Sequence, residues 1–310
     1  MTSISEATAA AQLPRTHERI QAFTGADGGR LMATIHGDAQ RSALLLHGGG
    51  QTRRAWRRTA LALALAQDWR IIALDQRGHG DSDWATDGAY AFTDYARDAQ
   101  AVARQIAAET GVKPVAVGAS LGGIASLLAL DDPADPAFSA LCMVDIVPQM
   151  NPVGVDTIQG FMRARAAEGF ASVEEAADAV AAYLPHRPRP RSLDGLRSNL
   201  RHDPDGRWRW HWDPRFLDGP RTVNAEWDAV GERAMRQAAR LNIPGLLVRG
   251  AFSELVTDEA ARAFLSVAST MTSVDVAKAR HMVAGDSNDD FTSAVRDFLA
   301  RITPLPATGA

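Results

Sequence analysis

The sequence predicts an α/β fold: a mostly parallel sheet with helices on both faces, interrupted late in the chain by a mostly helical insertion. Three observations carry this expectation. Short, uniformly apolar runs alternate with stretches of helical spacing, the pattern of βαβ units whose strands are buried on both sides. A serine flanked by glycines sits where one apolar run turns into a helix. The alternation lapses between residues 149 and 240 and then resumes.

Taken in order, residues 19–23 and 30–35 read as two short strands split by the turn-forming Gly25-Ala26-Asp27-Gly28-Gly29. Residues 42–46 form a compact apolar run that empties into His47-Gly48-Gly49-Gly50. A helical stretch over 55–66 leads to an apolar run over 70–74. Helical spacing follows over 92–108, then a buried-strand run over 114–117, a helix over 121–130 and an apolar run over 140–147. The interrupting segment holds alanine-rich helical pieces (157–167, 173–183) and then a stretch dense in proline, arginine and tryptophan. Strand and helix alternate again over 244–248, 258–267, 273–277 and 290–301. The expected division is a core of 15–148 and 241–302, an insertion of 149–240, and loose tails at 1–14 and 303–310.

Composition excludes several function classes. At 310 residues, with 46% hydrophobic and 23% charged, the chain is an ordinary globular protein, neither disordered nor fibrous. A formal charge of −4 gives no electrostatic case for nucleic acid or an anionic membrane as partner. A single cysteine, Cys142, excludes an intrachain disulfide and a multi-cysteine metal site. No apolar stretch is long enough to span a bilayer. The opening MTSISEATAAAQLPRTHER lacks a basic segment followed by an apolar core, so no cleaved leader is expected and the cytoplasm is the expected compartment.

The chemistry-bearing motif is Gly118-Ala119-Ser120-Leu121-Gly122. A strand that turns abruptly into a helix needs small residues at the two glycine positions, and the turn lifts the serine hydroxyl above the sheet edge at the positive end of a helix. Two further elements stand in the right order. Residues 44–50 bring a strand into three glycines, where backbone N–H groups approach a substrate unobstructed, as an oxyanion hole requires; His47 is expected to brace that loop. His281, 161 residues after the serine, stands past a strand and before the last helix, where a neutral imidazole would accept the hydroxyl proton. The acid that orients the imidazole is open at this level. Glu254 follows the penultimate strand and is preferred, with Asp145, at the end of the strand after the serine, as the alternative.

With these residues in view, the chain resembles the α/β-hydrolase superfamily, specifically its single-domain serine esterase, haloperoxidase and epoxide-hydrolase-like group with a cap domain. The likeness spans residues 19–301 and rests on four stretches: Leu46-His47-Gly48-Gly49-Gly50, Asp75-Gln76-Arg77-Gly78-His79-Gly80-Asp81-Ser82, Val117-Gly118-Ala119-Ser120-Leu121-Gly122-Gly123 and Arg280-His281-Met282. The resemblance implies an eight-stranded, mostly parallel sheet with a cap inserted after strand 6. It also implies oxyanion donors at the N–H groups of Gly49 and Leu121. The family's usual acid after the seventh strand is aspartate; here Ser253-Glu254 occupies that neighbourhood, and some relatives take the acid from the sixth strand instead, where Asp145 stands. A serine nucleophile, rather than a carboxylate, implies acyl transfer rather than epoxide or haloalkane opening.

The expected activity is therefore hydrolysis of a carboxylic ester or lactone of an apolar or aromatic small molecule, with no cofactor and no metal, by a monomer or homodimer. The same site is compatible with an amide, a thioester, a carbon–carbon bond or perhydrolysis; a low-turnover ligand-binding protein is a further alternative. Substrate contacts are expected from Gly48, Trp84, Phe252, Met282 and the alternating Trp208, Trp210 and Trp212, read as three indoles on one face of an extended arm. The arginine–proline run over 187–191 is expected to be extended and exposed.

Overall fold

The computed structural model describes residues 18–66, 68–185, 192–225, 227–277, 279–286 and 288–307. The expected loose tail at 1–14 and the arginine–proline run at 187–191 lie outside these residues. In chain order the elements are β1 (Glu18–Thr24), β2 (Arg30–His36), β3 (Ser42–Leu46), a 3-10 turn (Arg53–Trp56), α1 (Arg57–Ala66), β4 (Arg70–Leu74), α2 (Phe92–Thr110), β5 (Val115–Ala119), α3 (Leu121–Leu128) and β6 (Ala140–Val144). There follow α4 (Pro152–Arg163), α5 (Val173–Tyr183), α6 (Asp194–Arg197), β7 (Leu200–His202), β8 (Trp208–Trp210), α7 (Arg215–Asp218) and α8 (Trp227–Ala238). The chain closes with β9 (Gly245–Gly250), α9 (Asp258–Val267), β10 (Met271–Val276), α10 (Val283–Asp286) and α11 (Asn288–Leu299).

Eight strands form one sheet in the order β1-β2-β4-β3-β5-β6-β9-β10. The β1–β2 and β2–β4 pairs are antiparallel and every later pair is parallel. The strictly apolar runs follow from burial on both faces. In β3, Leu44 and Leu46 enter the core shared with α2 and α3, whereas Ala43 and Leu45 face the core shared with α1 and α11. Because the parallel strands all end on one side of the sheet, the loops after β3, β5, β6 and β10 converge there, which is where an open α/β sheet builds its site.

Between β6 and β9 the chain leaves the sheet. Helices α4 to α7 and the antiparallel β7–β8 hairpin stand over the strand ends, with α4 started by Asn151, whose side chain accepts from Val153 N–H, and by Pro152 at its first turn. Helix α8 instead packs on α3 and α9 in the layer covering the sheet, so the elements of the insertion proper end before Trp227, short of the expected boundary at residue 240. The C-terminal tail is not loose through residue 307. Lys113 N–H donates to Leu305 O at 2.8 Å, Leu305 N–H to Ser139 Oγ at 2.8 Å, and Ala307 N–H to Gly111 O at 2.9 Å.

Candidate active site

Ser120 occupies the turn between β5 and α3 with φ 47° and ψ −112°, a conformation an L-residue adopts only under constraint. The constraint is the approach of α3 to the sheet: a Cβ on Gly122 would stand 2.4 Å from the Leu46 carbonyl oxygen, so only glycine lets the helix start here. Ser120 N–H is held by Val144 O at 3.2 Å, tying the turn to β6.

The neighbouring strand end repeats the device. Asp145, directly after β6, has φ 48° and is fully buried. A buried carboxylate must be answered by donors, and three are present. Gly250 N–H donates to Oδ1 at 2.8 Å; Oδ2 receives Ser253 Oγ–H at 2.5 Å and His281 Nδ1–H at 2.9 Å. The β6–β9 register, Val144 opposite Val248, brings Asp145 beside Gly250. Gly250 in turn lets the His281 loop cross it, since a Cβ there would lie 2.4 Å from Arg280 O.

Glu254, the acid preferred from the sequence, is not the imidazole's partner. Its half-exposed carboxylate forms an ion pair with Arg280, the residue before His281. Arginine, with a permanent charge and a long reach, captures the nearest exposed carboxylate and turns it away from the imidazole. Asp258 is likewise engaged, by Arg249.

The glycine loop after β3 is fixed by two neutral histidines. His47, fully buried, accepts Gln76 N–H at Nε2 (3.1 Å) and donates from Nδ1 to Gly48 O (2.8 Å). His79 accepts Gly50 N–H at Nε2 (3.1 Å) and donates from Nδ1 to Arg77 O (2.9 Å). Burial penalises the imidazolium and pulls their pKa values down to about 4 and about 3. Gly48 N–H is taken by Gln51 Oε1 at 3.1 Å. Among the described residues, the N–H groups of Gly49 and Leu121 have no protein acceptor. Both are left to meet a ligand, one of them at the N-terminus of α3, where developing negative charge is favoured.

Ser120, Leu121, Gly49 and His281 open on one cavity of about 900 Å³. Its wall takes in Gly48, Trp210, Trp212 and Met282, four of the residues singled out in the sequence. Three expected contacts are not part of it. Trp84 lies under the Arg201 guanidinium, 4.9 Å from the ring centre; Trp208 lies under Arg197 at 5.0 Å; Phe252 is 62% exposed. The three alternating indoles do not share one face, because β8 ends at Trp210 and Trp212 belongs to a separate bridge with His79. Sequence reading also missed wall residues from the insertion: Met162, whose methyl lies against Gly49 and Gly50, and Phe216, whose ring meets Gly49 and stands edge-on to His79. Among the described residues no cluster of three or more His, Cys, Asp or Glu is arranged to hold a metal ion, and no helix is long and apolar enough to cross a membrane.

The profile of the alpha/beta hydrolase family matches residues 43–306. The chain belongs to the α/β-hydrolase family. Among α/β-hydrolase relatives it is 30% identical over 246 residues to an esterase of Mycobacterium tuberculosis, covering 78% of this chain and 74% of that one. It is 26% identical over 253 residues to a 3-hydroxybutyrate-oligomer hydrolase of Cupriavidus necator, covering 79% and 84%. The solved structure of an alpha/beta hydrolase from Novosphingobium aromaticivorans superimposes with a TM-score of 0.76 at 25% identity, covering 93% of this chain and 99% of that one. As an α/β-hydrolase of this kind, the protein is an enzyme of the hydrolase type.

Proposed function

We propose that the protein is a serine hydrolase that cleaves a carboxylic ester or lactone of an apolar or aromatic small molecule through an acyl-enzyme on Ser120. The observation that carries this reading is the 2.9 Å bond between His281 Nδ1 and the buried Asp145, on the wall of the cavity that also receives Ser120 and the unoccupied N–H groups of Gly49 and Leu121. The esterase and oligomer-hydrolase relatives support an ester as the bond attacked.

Asp145 holds the imidazole with Nδ1 protonated, so Nε2 is free to accept a proton. Ser120 Oγ attacks the acyl carbon as its proton passes to Nε2; the oxyanion of the tetrahedral intermediate accepts from Gly49 and Leu121 N–H, each such donor being worth about 3 kcal/mol to the transition state. The C–O bond to the alcohol then breaks and the alkoxide leaves with the imidazolium proton. Water attacks the acyl-enzyme, giving its proton to Nε2, and collapse of the second intermediate returns that proton to Ser120 Oγ and releases the carboxylic acid. In this reading the part of the insertion before α8 acts as a cap: Met162, Trp210, Trp212 and Phe216 supply apolar wall and exclude water.

The test is hydrolysis of p-nitrophenyl butyrate sampled before the steady state. The expected result is a burst of about one equivalent of nitrophenolate, absent in Ser120→Ala, whose Tm stays near that of wild type. Steady turnover by a folded Ser120→Ala enzyme would overturn the assignment.

A further inference from the structure

Helix α4 presents Val155, Ile158, Gln159 and Met162 to the cavity. Their spacing is that of one helical stripe, and a stripe facing an apolar interior is expected to be apolar throughout. Gln159 breaks it. Its side-chain amide is paired reciprocally with that of Asn224: Gln159 Nε2 donates to Asn224 Oδ1 at 2.7 Å and Asn224 Nδ2 donates to Gln159 Oε1 at 2.8 Å. Asn224 also lines the cavity, between the apolar Val223 and Trp227.

An amide carries two N–H donors and two acceptor lone pairs. The pair consumes one of each on either residue, and among the described residues neither side chain makes another hydrogen bond. One donor and one acceptor per residue therefore remain on a stretch of wall whose neighbours in the chain, Val155, Ile158, Met162, Val223 and Trp227, are apolar. The position is close to the reacting centre. Gln159 stands three residues before Met162, so about 4.5 Å back along the helix axis from the side chain that lies against Gly49 and Gly50.

Charge narrows what can sit there. Of the arginines on the cavity wall, Arg53 is paired with Asp75 and Asp81, and Arg54 and Arg57 sit with it on the 3-10 turn and the start of α1. No ion pair or hydrogen bond joins a cationic side chain to Gln159 or Asn224 among the described residues.

Resting on the ester-hydrolase reading above, we infer that Gln159 and Asn224 form a subsite that recognises an uncharged group carrying both a donor and an acceptor, a secondary amide or a hydroxyl, a few atoms from the scissile carbonyl of the substrate. A site with placed polar groups discriminates far more strongly than an apolar wall, because a ligand lacking the matching group leaves them unpaired.

Two chain-matched esters test this: p-nitrophenyl 4-acetamidobutanoate and p-nitrophenyl heptanoate, assayed with wild type, Gln159→Leu and Asn224→Leu, each variant checked by its Tm. The expected result is that the ratio of kcat/KM for the amide ester over the alkyl ester falls about tenfold or more in each folded variant. A merely structural strut would lower Tm and leave that ratio where it is in wild type; an unchanged ratio in a folded variant overturns the subsite while leaving the hydrolase reading intact. Failure of wild type to turn over either ester, with no burst, overturns the hydrolase reading and the subsite with it.

Discussion

Ser253 and His281 share one oxygen: both donate to Asp145 Oδ2, at 2.5 and 2.9 Å. Ser253 itself receives Leu255 N–H at 3.2 Å and Val256 N–H at 3.0 Å, so its hydroxyl hydrogen is directed at the carboxylate and its lone pairs at the loop. Asp145→Asn is expected to lower kcat by about three to four orders of magnitude, because the amide can present N–H to Nδ1 and favour the wrong tautomer. Glu254→Gln, which removes only a half-exposed ion pair, is expected to stay within a few-fold of wild type. Since Ser253 already touches the acid, Asp145→Ser combined with Ser253→Asp is expected to recover at least tenfold over Asp145→Ser alone. Steady-state kinetics of the four proteins on p-nitrophenyl butyrate check this, and loss of activity in Glu254→Gln comparable to that in Asp145→Asn would reverse the assignment.

Two glycines should respond to alanine in opposite directions. Gly122→Ala drives a methyl against the backbone oxygen of Leu46, an obstacle no rotamer relieves, and should cost more than about 3 kcal/mol. Gly160, exposed within α4 with nothing within 4 Å of a new Cβ, should gain about 0.5–1 kcal/mol from the smaller backbone entropy loss. Urea denaturation of both variants measures the contrast; a neutral Gly122→Ala would mean that α3 can retreat from the sheet.

Acid should loosen the protein before its carboxylates titrate. His47 and His79 take up protons near 6.5 when unfolded but only near about 4 and about 3 when folded. Below pH 6.5 the unfolded chain thus binds more protons than the native one, so stability falls as pH falls, by up to about 1.4 kcal/mol per pH unit for each histidine. In denaturant titrations between pH 6.5 and 5, His79→Asn is expected to reduce the slope of stability against pH, whatever its effect on the absolute level, with the remainder supplied by His47, His36 and His211, whose burial also lowers their pKa. An unaltered slope would place the acid sensitivity in other groups.

Much of this arrangement is legible in the sequence. The uniformly apolar runs became the parallel strands because both faces are buried, and Ser120 and His281 stand where strand order puts them. The imidazole's partner was not legible: the sequence favours Glu254 slightly over Asp145, and what reverses that order is the β6–β9 register and the claim of Arg280 on Glu254. One signal did exist. Asp145 interrupts an apolar run extending to Val147, and a carboxylate in such a run is buried and must be partnered. The wall residues Met162, Gln159, Asn224 and Phe216 come from helices and turns whose placement over the strand ends depends on tertiary packing, and nothing in their local sequence announces it.

The His79 turn does more than brace the glycine loop. Gly80 N–H donates to His211 O at 2.8 Å, Asp213 N–H to Gly78 O at 2.8 Å, and Tyr90 Oη–H to the buried Asp213 at 2.5 Å. That seam stitches the arm carrying Trp210 and Trp212 to the same turn that holds Gly50 N–H in the glycine loop. If Gly49 and Leu121 serve as proposed, a swing of the roof along this edge would disturb the loop that carries one of them, so opening is expected at another flank. Residues that never touch the reacting bond would then set how fast the cavity fills and empties.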